Sequence, residues 1–101
     1  MPAIYVSAQA EADIDAIAEY TANTWGPVQT DVYLAKLEDG FALLARNPLL
    51  GRSCDSIREG LRRHEIEKHV VFYRIVTGGI RIVRVLHQRM LPIPSRFGAV
   101  G

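Results

Sequence analysis

The stretch from Arg58 to Met90 constrains the fold of this chain most, because three runs within it have the composition of β-strands. The runs LRRHEIE, HVVFYRIV and IRIVRVLH are rich in β-branched and aromatic residues, with basic side chains among them. Thr77, Gly78 and Gly79 separate the second run from the third, and a Gly-Gly pair tolerates the positive φ angles of a tight turn. The sequence therefore predicts a β-hairpin with Gly78-Gly79 as its loop.

This hairpin predicts a strand register. With Gly78-Gly79 as the loop, Arg74 pairs with Val83, and Phe72 pairs with Val85. Alternation along each strand then places Arg74, Arg81 and His87 on one face of the sheet, and Arg84 on the other face with Tyr73, Ile75 and Ile82. Neither face is purely apolar, so the pattern leaves open which face the helices cover.

The first half of the chain predicts a strand followed by two helices. The run AIYV suits a strand, and Ser7 after it is a good N-cap for an amphipathic helix whose apolar residues recur at helical spacing. Gly26 can end that helix in the left-handed conformation, and Pro27 can open a second helix that runs to about Arg46. Gly40 inside the second helix indicates a kink or the close approach of another backbone.

Segments rich in Pro, Gly and Ser complete the chain. NPLLGRSCDSIREG predicts a loop between the helices and the sheet, and residues 92–101 predict an extended, partly mobile tail. The expected fold class is α+β, with an N-terminal strand, a helix hairpin and then a three-stranded antiparallel sheet. Residues 1–91 form the expected domain.

The composition indicates a soluble protein that is not exported. A chain of 101 residues is one domain by the usual size prior, and its single cysteine, Cys54, excludes an intramolecular disulfide. The first residues lack a basic segment followed by an apolar run, and no apolar run is long enough for a membrane span. We therefore expect a cytoplasmic protein without a membrane partner.

The charge is divided between the two halves of the chain. Residues 1–57 hold three bases against eight acids, a net charge of −5, whereas residues 58–89 hold eight bases against three acids, a net charge of +5. Such a division favours an anionic partner at the strand-rich end, either a nucleic acid or an acidic protein surface. The alternative is a solvated basic sheet balanced by acidic helices.

The residues that could carry chemistry do not form a recognised motif. With one cysteine and with His64 and His69 five positions apart, the chain has no zinc ligand set, so we expect neither a metal nor a cofactor. His87 lies between Arg84 and Arg89 and is either a general base or a strand-end side chain bonded to the backbone. Cys54 has no histidine nearby in sequence, which indicates that its thiol is not a catalytic nucleophile.

Six segments, in this order of elements, carry a resemblance to a known family. They are AEADIDAIAEYT from Ala10, the Trp25-Gly26 turn, NPLLGR from Asn47, IREGLR from Ile57, HVVFYR from His69 and IRIVRVLHQRM from Ile80. Together they resemble the ParE branch of the RelE/ParE toxins of bacterial toxin-antitoxin modules. The resemblance implies a compact α+β toxin that inhibits DNA gyrase and blocks replication without bond-making chemistry. It also implies a hetero-oligomer with a ParD-like antitoxin, whose C-terminal segment wraps the toxin surface.

Two sets of residues are expected to form the binding surfaces. The predicted target-binding set, which engages gyrase or its bound DNA, consists of Arg58, Arg62, Arg63, Arg81, Arg84, His87 and Arg89. The predicted antitoxin-binding set consists of Tyr20, Trp25, Tyr33 and Leu37, docking a helix or an added strand, although each of these residues could equally be core.

Two alternative functions remain open. The RelE branch is similar in fold but cleaves messenger RNA on the ribosome, which here would require Arg62, Arg81, Arg84 and His87 as catalytic residues. No Tyr, His or Lys follows His87, and such residues near the C-terminus often serve that chemistry. The third possibility is a pure binding module that does not inhibit growth.

Overall fold

Within residues 2–98, the part of the chain that the computed structural model describes, two α-helices pack against one face of a five-stranded sheet. The elements are β1 (Ala3–Val6), α1 (Ala8–Trp25), α2 (Pro27–Arg46), β2 (Arg52–Ser53), β3 (Arg62–Ile66), β4 (His69–Val76), β5 (Gly79–His87) and a 3-10 helix (Pro94–Phe97). The fold is α+β, as the sequence predicts.

The helix hairpin forms where its capping residues predict it. The Ser7 side chain accepts a hydrogen bond from the backbone N–H of Ala10, which caps α1. Gly26 ends α1 with a φ of 89°, and Pro27 occupies the first turn of α2. At Gly40 the close neighbour is the side chain of Ile66, which occupies the space that a Cβ would need.

The sheet has the strand order β1-β5-β4-β3-β2. β1 pairs with β5 in parallel, and the remaining pairs are antiparallel. The three predicted strands correspond to β3, β4 and β5. The short strand β2 lies within the predicted loop after α2, and β1 joins the sheet beside the last strand.

The predicted hairpin register is wrong. Arg74 pairs with Arg81 instead of Val83, and Phe72 pairs with Arg84 instead of Val85. The loop consists of Thr77 and Gly78, with a φ of 82° at Gly78. Gly79 belongs to β5, where a Cβ would collide with the backbone of Ala3 in β1. The close approach of β1 therefore explains why Gly79 is a strand residue.

A β-bulge further along β5 changes which residues share a face. Tyr73 pairs with Ile82 and Phe72 with Arg84, which leaves Val83 as an extra residue in β5. The bulge moves Arg84 away from the face of Tyr73 and Ile82, where simple alternation had placed it. The predicted face of Arg84 is therefore wrong, and so is that of His87, which lies on the helix side with Val85 and not with Arg74 and Arg81.

Both faces of the sheet are covered, which resolves the question that the alternation left open. The helix side buries Tyr73, Ile80 and Ile82 against Leu37 and Phe41 of α2. The opposite side, which we call the tail face, buries a second cluster of Cys54, Leu61, Val70, Phe72, Val83, Leu86 and Phe97. The helices therefore cover the face of Tyr73 and Ile82, and the tail face carries arginines of the sheet beside its own apolar cluster.

The C-terminal segment is not simply extended. Residues Pro94–Phe97 form the 3-10 helix, and Phe97 is 2% exposed with its ring centroid 4.8 Å from that of Phe72. Arg58 Nη2 donates to the Pro94 carbonyl at 3.4 Å. Residues 93–98 thus complete the tail face, whereas the predicted mobility of residues 99–101 falls outside the described part of the chain.

Candidate functional site

A groove of about 880 Å³ lies between α1 and the end of β5. Tyr20 and Trp25 of α1 stand on its wall, each 68% exposed. Val85, Leu86 and His87 of β5 also line the groove. Exposed aromatic side chains beside a concave apolar surface are typical of a protein-binding site.

The strand edge along this groove is incompletely paired. β1 pairs with β5 only from Gly79 to Ile82, so the following residues of β5 have no strand on that side within residues 2–98. The start of α1 replaces part of the missing strand. Ser7 N donates to the Ile82 carbonyl at 3.0 Å, and Ser7 Oγ donates to the Val83 carbonyl at 2.8 Å. The helix therefore braces the bulge and leaves the rest of the edge to the groove.

Asp13 makes the strongest polar contact of this region. Its two carboxylate oxygens accept from Arg84 Nη2 and Nε at 2.8 Å each, and Oδ2 also accepts from the Val85 N–H at 2.9 Å. The two side chains are only 14% and 17% exposed. Hydrogen bonding to Asp13 raises the pKa of Arg84. The Arg84 guanidinium group is thus held in an ion pair with Asp13 inside the fold.

Sequence reasoning counted Asp13 only within the net charge of residues 1–57 and so missed its role. A signal was present, since Asp13 lies three residues after Ala10 and four before Ile17, both of which are buried. An acid in register with a buried helical stripe requires a partner. That partner, Arg84, lies 71 residues away along the chain, so spacing alone could not identify it.

His69 lies at the inner end of the groove in contact with two other rings. The Tyr33 hydroxyl accepts from the Lys68 N–H at 3.2 Å and shares a hydrogen bond of 2.5 Å with His69 Nδ1. The His69 and His87 rings stack edge to face with centroids 5.4 Å apart. Burial, followed by the charge of His87, lowers the pKa of His69 to about 4. His69 is therefore neutral at pH 7 and acts as a hydrogen-bond acceptor.

The four residues predicted to bind the antitoxin do not share one environment. Tyr20, Trp25 and Tyr33 line the groove, and burial raises the pKa of the Tyr33 hydroxyl. Leu37 is 1% exposed within the core between the helices and the sheet, so its side chain supports the groove from behind.

The seven residues predicted to bind the target are separated by the fold. Arg62 donates to the carbonyls of Leu49 and Gly51, in the loop after α2. Arg63 stacks on Phe72 with its Cζ 5.5 Å from the ring centroid, and Arg58 reaches the tail. The other four residues, Arg81, Arg84, His87 and Arg89, follow one another along β5 and just beyond it.

The four residues that a RelE-type reaction would use lie apart in the fold. Arg81 and His87 lie at opposite ends of β5, roughly 20 Å apart at the usual rise of a strand. Arg84 is held by Asp13, and Arg62 is held by backbone carbonyls. His87 Nδ1 accepts from the Arg89 N–H at 3.2 Å, which is the backbone-bonded arrangement expected of a strand-end histidine.

Comparison with known proteins identifies the family. The family described as "ParE toxin of type II toxin-antitoxin system, parDE" matches residues 4–92. The chain belongs to this ParE toxin family. The Toxin ParE1 of Mycobacterium tuberculosis is 42% identical over 86 residues, covering 84% of this chain and 88% of the relative. The Toxin ParE of Escherichia coli is 37% identical over 91 residues, covering 89% of this chain and 88% of the relative.

A solved structure supports the fold. A chain of the chromosomal ParDE TA system from P. aeruginosa superimposes with a TM-score of 0.73 at 22% identity, covering 86% of this chain and 96% of that chain. The sequence resemblance to the ParE branch is therefore confirmed, and so is the α+β architecture.

Two further findings concern the described part of this ParE-family chain. Residues 2–98 contain no cluster of three or more His, Cys, Asp or Glu side chains placed to hold a metal ion. Over the same residues, neither helix combines the length and the apolar character needed to cross a membrane.

Proposed function

We propose that this chain inhibits DNA gyrase, and so blocks replication in the bacterial cytoplasm, until a ParD-like antitoxin neutralises it. The observation that carries this proposal is the separation of Arg62, Arg81, Arg84 and His87, because a toxin without an assembled catalytic set acts by binding. Arginine side chains without a carboxylate partner supply that binding. Within residues 2–98 those on the tail face are Arg58, Arg74, Arg81 and Arg96.

A supercoiling assay tests the proposed target. Purified gyrase is incubated with relaxed plasmid and increasing amounts of the chain, and we expect supercoiling to stop. A parallel reaction includes the purified antitoxin and should keep its full activity. Unchanged supercoiling at a large excess of the chain would refute gyrase inhibition. Ribosome-positioned cuts in a translated message would instead establish the RelE-type reaction.

The groove is the proposed antitoxin-binding site. Tyr20 and Trp25 present apolar surface on its wall, and the incompletely paired edge of β5 offers backbone groups to an added strand. The solved relative comes from a ParDE system, which fits a partner of the ParD type. We expect a C-terminal segment of the antitoxin to fill the groove as an apolar helix or an extended strand, and to form a stable hetero-oligomer.

Trp25 provides a direct test of this site, because it is the single tryptophan of the chain and is 68% exposed. An antitoxin segment without tryptophan should shift the Trp25 emission to shorter wavelength on binding. Tyr20→Ala should weaken binding by about tenfold or more, the size expected for an aromatic anchor. Tyr5→Ala is the matched control, since Tyr5 is exposed on another element, and should not change the affinity. An unchanged Trp25 emission spectrum in the complex would exclude the groove as the antitoxin-binding site.

A further inference from the structure

Three side chains form a row across β1, β5 and β4 on the tail face, near the Thr77-Gly78 turn. The register places Tyr5 beside Arg81, and Arg81 opposite Arg74. Neighbouring strands lie about 4.8 Å apart, so the row spans roughly 10 Å. Tyr5 is 50% exposed, Arg81 is exposed and Arg74 is half-buried. We call these three residues the sheet-end row.

The row contains two cations without a counter-charge. Like charges directly opposite each other destabilise a sheet, yet neither Arg74 nor Arg81 forms a salt bridge within residues 2–98. Two acids, Asp55 and Glu59, line a small cavity together with Arg74. Asp55 accepts from the Gly60 N–H at 2.8 Å, and the Glu59 contact to Arg74 Nη2, also 2.8 Å, comes from its backbone carbonyl. The fold therefore orients Arg74 without neutralising it.

The chemistry of the row matches a nucleic-acid strand. A guanidinium group presents a planar set of donors that suits phosphate, and the second, unneutralised guanidinium of Arg74 adds positive charge nearby. An exposed tyrosine ring beside them can stack on a base, as aromatic side chains do in proteins that bind single strands. In a duplex the base faces are covered by stacking, so this ring favours a single strand.

We propose that the sheet-end row binds single-stranded DNA, with a phosphate held by Arg81, the adjacent base stacked on Tyr5, and Arg74 adding positive charge beside them. The binding surface rests on the geometry of the row. The choice of DNA over RNA rests on the proposed function, because the proposed target, gyrase, acts on DNA. Tyr5 and Arg74 thereby join Arg81 as target contacts, and the middle of the tail face, covered by Phe97, does not take part.

Fluorescence anisotropy with the full chain tests the proposal. The probes are a labelled single-stranded DNA 20-mer, the same sequence as RNA, and the DNA duplex. We expect the DNA strand to bind most tightly. Arg81→Gln should weaken that binding about tenfold and reduce the slope of log affinity against log salt by about 0.7, the value for one lost phosphate contact on a single strand. Tyr5→Leu should weaken binding about fivefold or more with an unchanged salt slope.

The control is Arg46→Gln, which removes an exposed arginine at the end of α2 on the helix side. Arg46→Gln should have the same effect on the slope of log affinity against log salt for single-stranded DNA and for the duplex. Its affinity for single-stranded DNA should stay within about twofold of that of the unmodified chain. Circular dichroism of each variant confirms folding, which the exposed positions of Arg81 and Tyr5 favour. Equal losses from Arg46→Gln and Arg81→Gln would overturn the proposal, as would tighter binding of the duplex or the RNA.

A supercoiling assay on the same variants separates this proposal from the function on which it rests. If the chain inhibits gyrase and Arg81→Gln retains full inhibition and full strand binding, the row is refuted and gyrase inhibition stands. If single-stranded DNA binding requires the sheet-end row but the unmodified chain does not affect gyrase, gyrase inhibition is refuted and DNA binding by the row is supported. Joint loss of strand binding and inhibition in Arg81→Gln and Tyr5→Leu supports both.

Discussion

Asp13 joins α1 to the part of β5 where strand pairing stops. Its carboxylate accepts two hydrogen bonds from Arg84 and one from the Val85 N–H, and both side chains are largely buried. Removing one partner of a buried ion pair leaves an uncompensated charge, which is far more costly than losing a surface pair. The local stability of the groove wall therefore depends on this residue.

We expect Asp13→Ala to lower the free energy of unfolding by about 3 kcal/mol, measured by urea denaturation. Asp15→Ala, an exposed acid on the same helix, should change it by less than about 0.5 kcal/mol. The double variant Asp13→Ala with Arg84→Met should recover part of the lost free energy of unfolding, because it also removes the buried guanidinium group that Asp13→Ala leaves without a partner. Equal effects of Asp13→Ala and Asp15→Ala would show that the ion pair contributes little.

His69 makes the stability of the fold depend on pH. Its pKa falls to about 4 in the folded chain from an ordinary 6.5, so the unfolded chain binds more protons between these values. The resulting stability is complete above about pH 6.5 and is lost as the pH falls toward 4. The groups facing His69 are Tyr33, His87 and Asp13. Since His69 is only half-buried, we expect a loss of about 1 kcal/mol.

The comparison of His69→Gln with unmodified protein checks this expectation. Urea midpoints measured from pH 7 to pH 4 should fall less steeply for His69→Gln than for the unmodified chain. His64→Gln, a histidine of β3, serves as the control and should follow the unmodified chain. Parallel curves for the unmodified chain and His69→Gln would contradict a proton-linked role for this imidazole.

At the scale of elements, the hairpin of β4 and β5 depends on two glycines with different roles. Gly78 has a φ of 82° and open space around a Cβ, so Gly78→Ala should cost about 1 kcal/mol through backbone strain alone. Gly79 has no room for a Cβ against Ala3, so Gly79→Ala must push β1 away and should cost about 3 kcal/mol. Thermal denaturation of both variants measures the difference. A smaller loss for Gly79→Ala would mean that β1 shifts freely.

The same two glycines show what the sequence could predict. Helix boundaries depend on neighbouring residues, so Ser7, Gly26 and Pro27 were sufficient to place them. The hairpin register depends on β1, some 76 residues away from its partner in β5, and on the bulge that Ser7 and Asp13 brace. No pattern within β4 and β5 carries that information. Residue types supplied candidate binding residues, which stay predictions, whereas the position of these residues relative to one another required the fold.

At the scale of the whole molecule, residues 93–98 act as a third layer. The helices cover one face of the sheet, and the loop after β2 together with Phe97 covers the other. Phe97→Ala should lower the free energy of unfolding by about 3 kcal/mol, since a buried phenylalanine leaves a cavity against Phe72. Ile93→Ala, at a 44% exposed position, should cost less than about 1 kcal/mol. Urea midpoints that are the same for the two variants would show that the tail is not docked in solution.

The parallel pairing of β1 with β5 also governs when the toxin becomes complete. Ala3 pairs with Gly79 and Val6 with Ile82, so the first strand to be synthesised has no partner until most of the polypeptide has followed it. At about 5–20 residues per second, that interval is roughly 4–15 s on the ribosome. A translation product that terminates before β5 contains neither the groove edge nor Arg81. The proposed antitoxin groove and the proposed target contact Arg81 therefore form only after β5 has been translated.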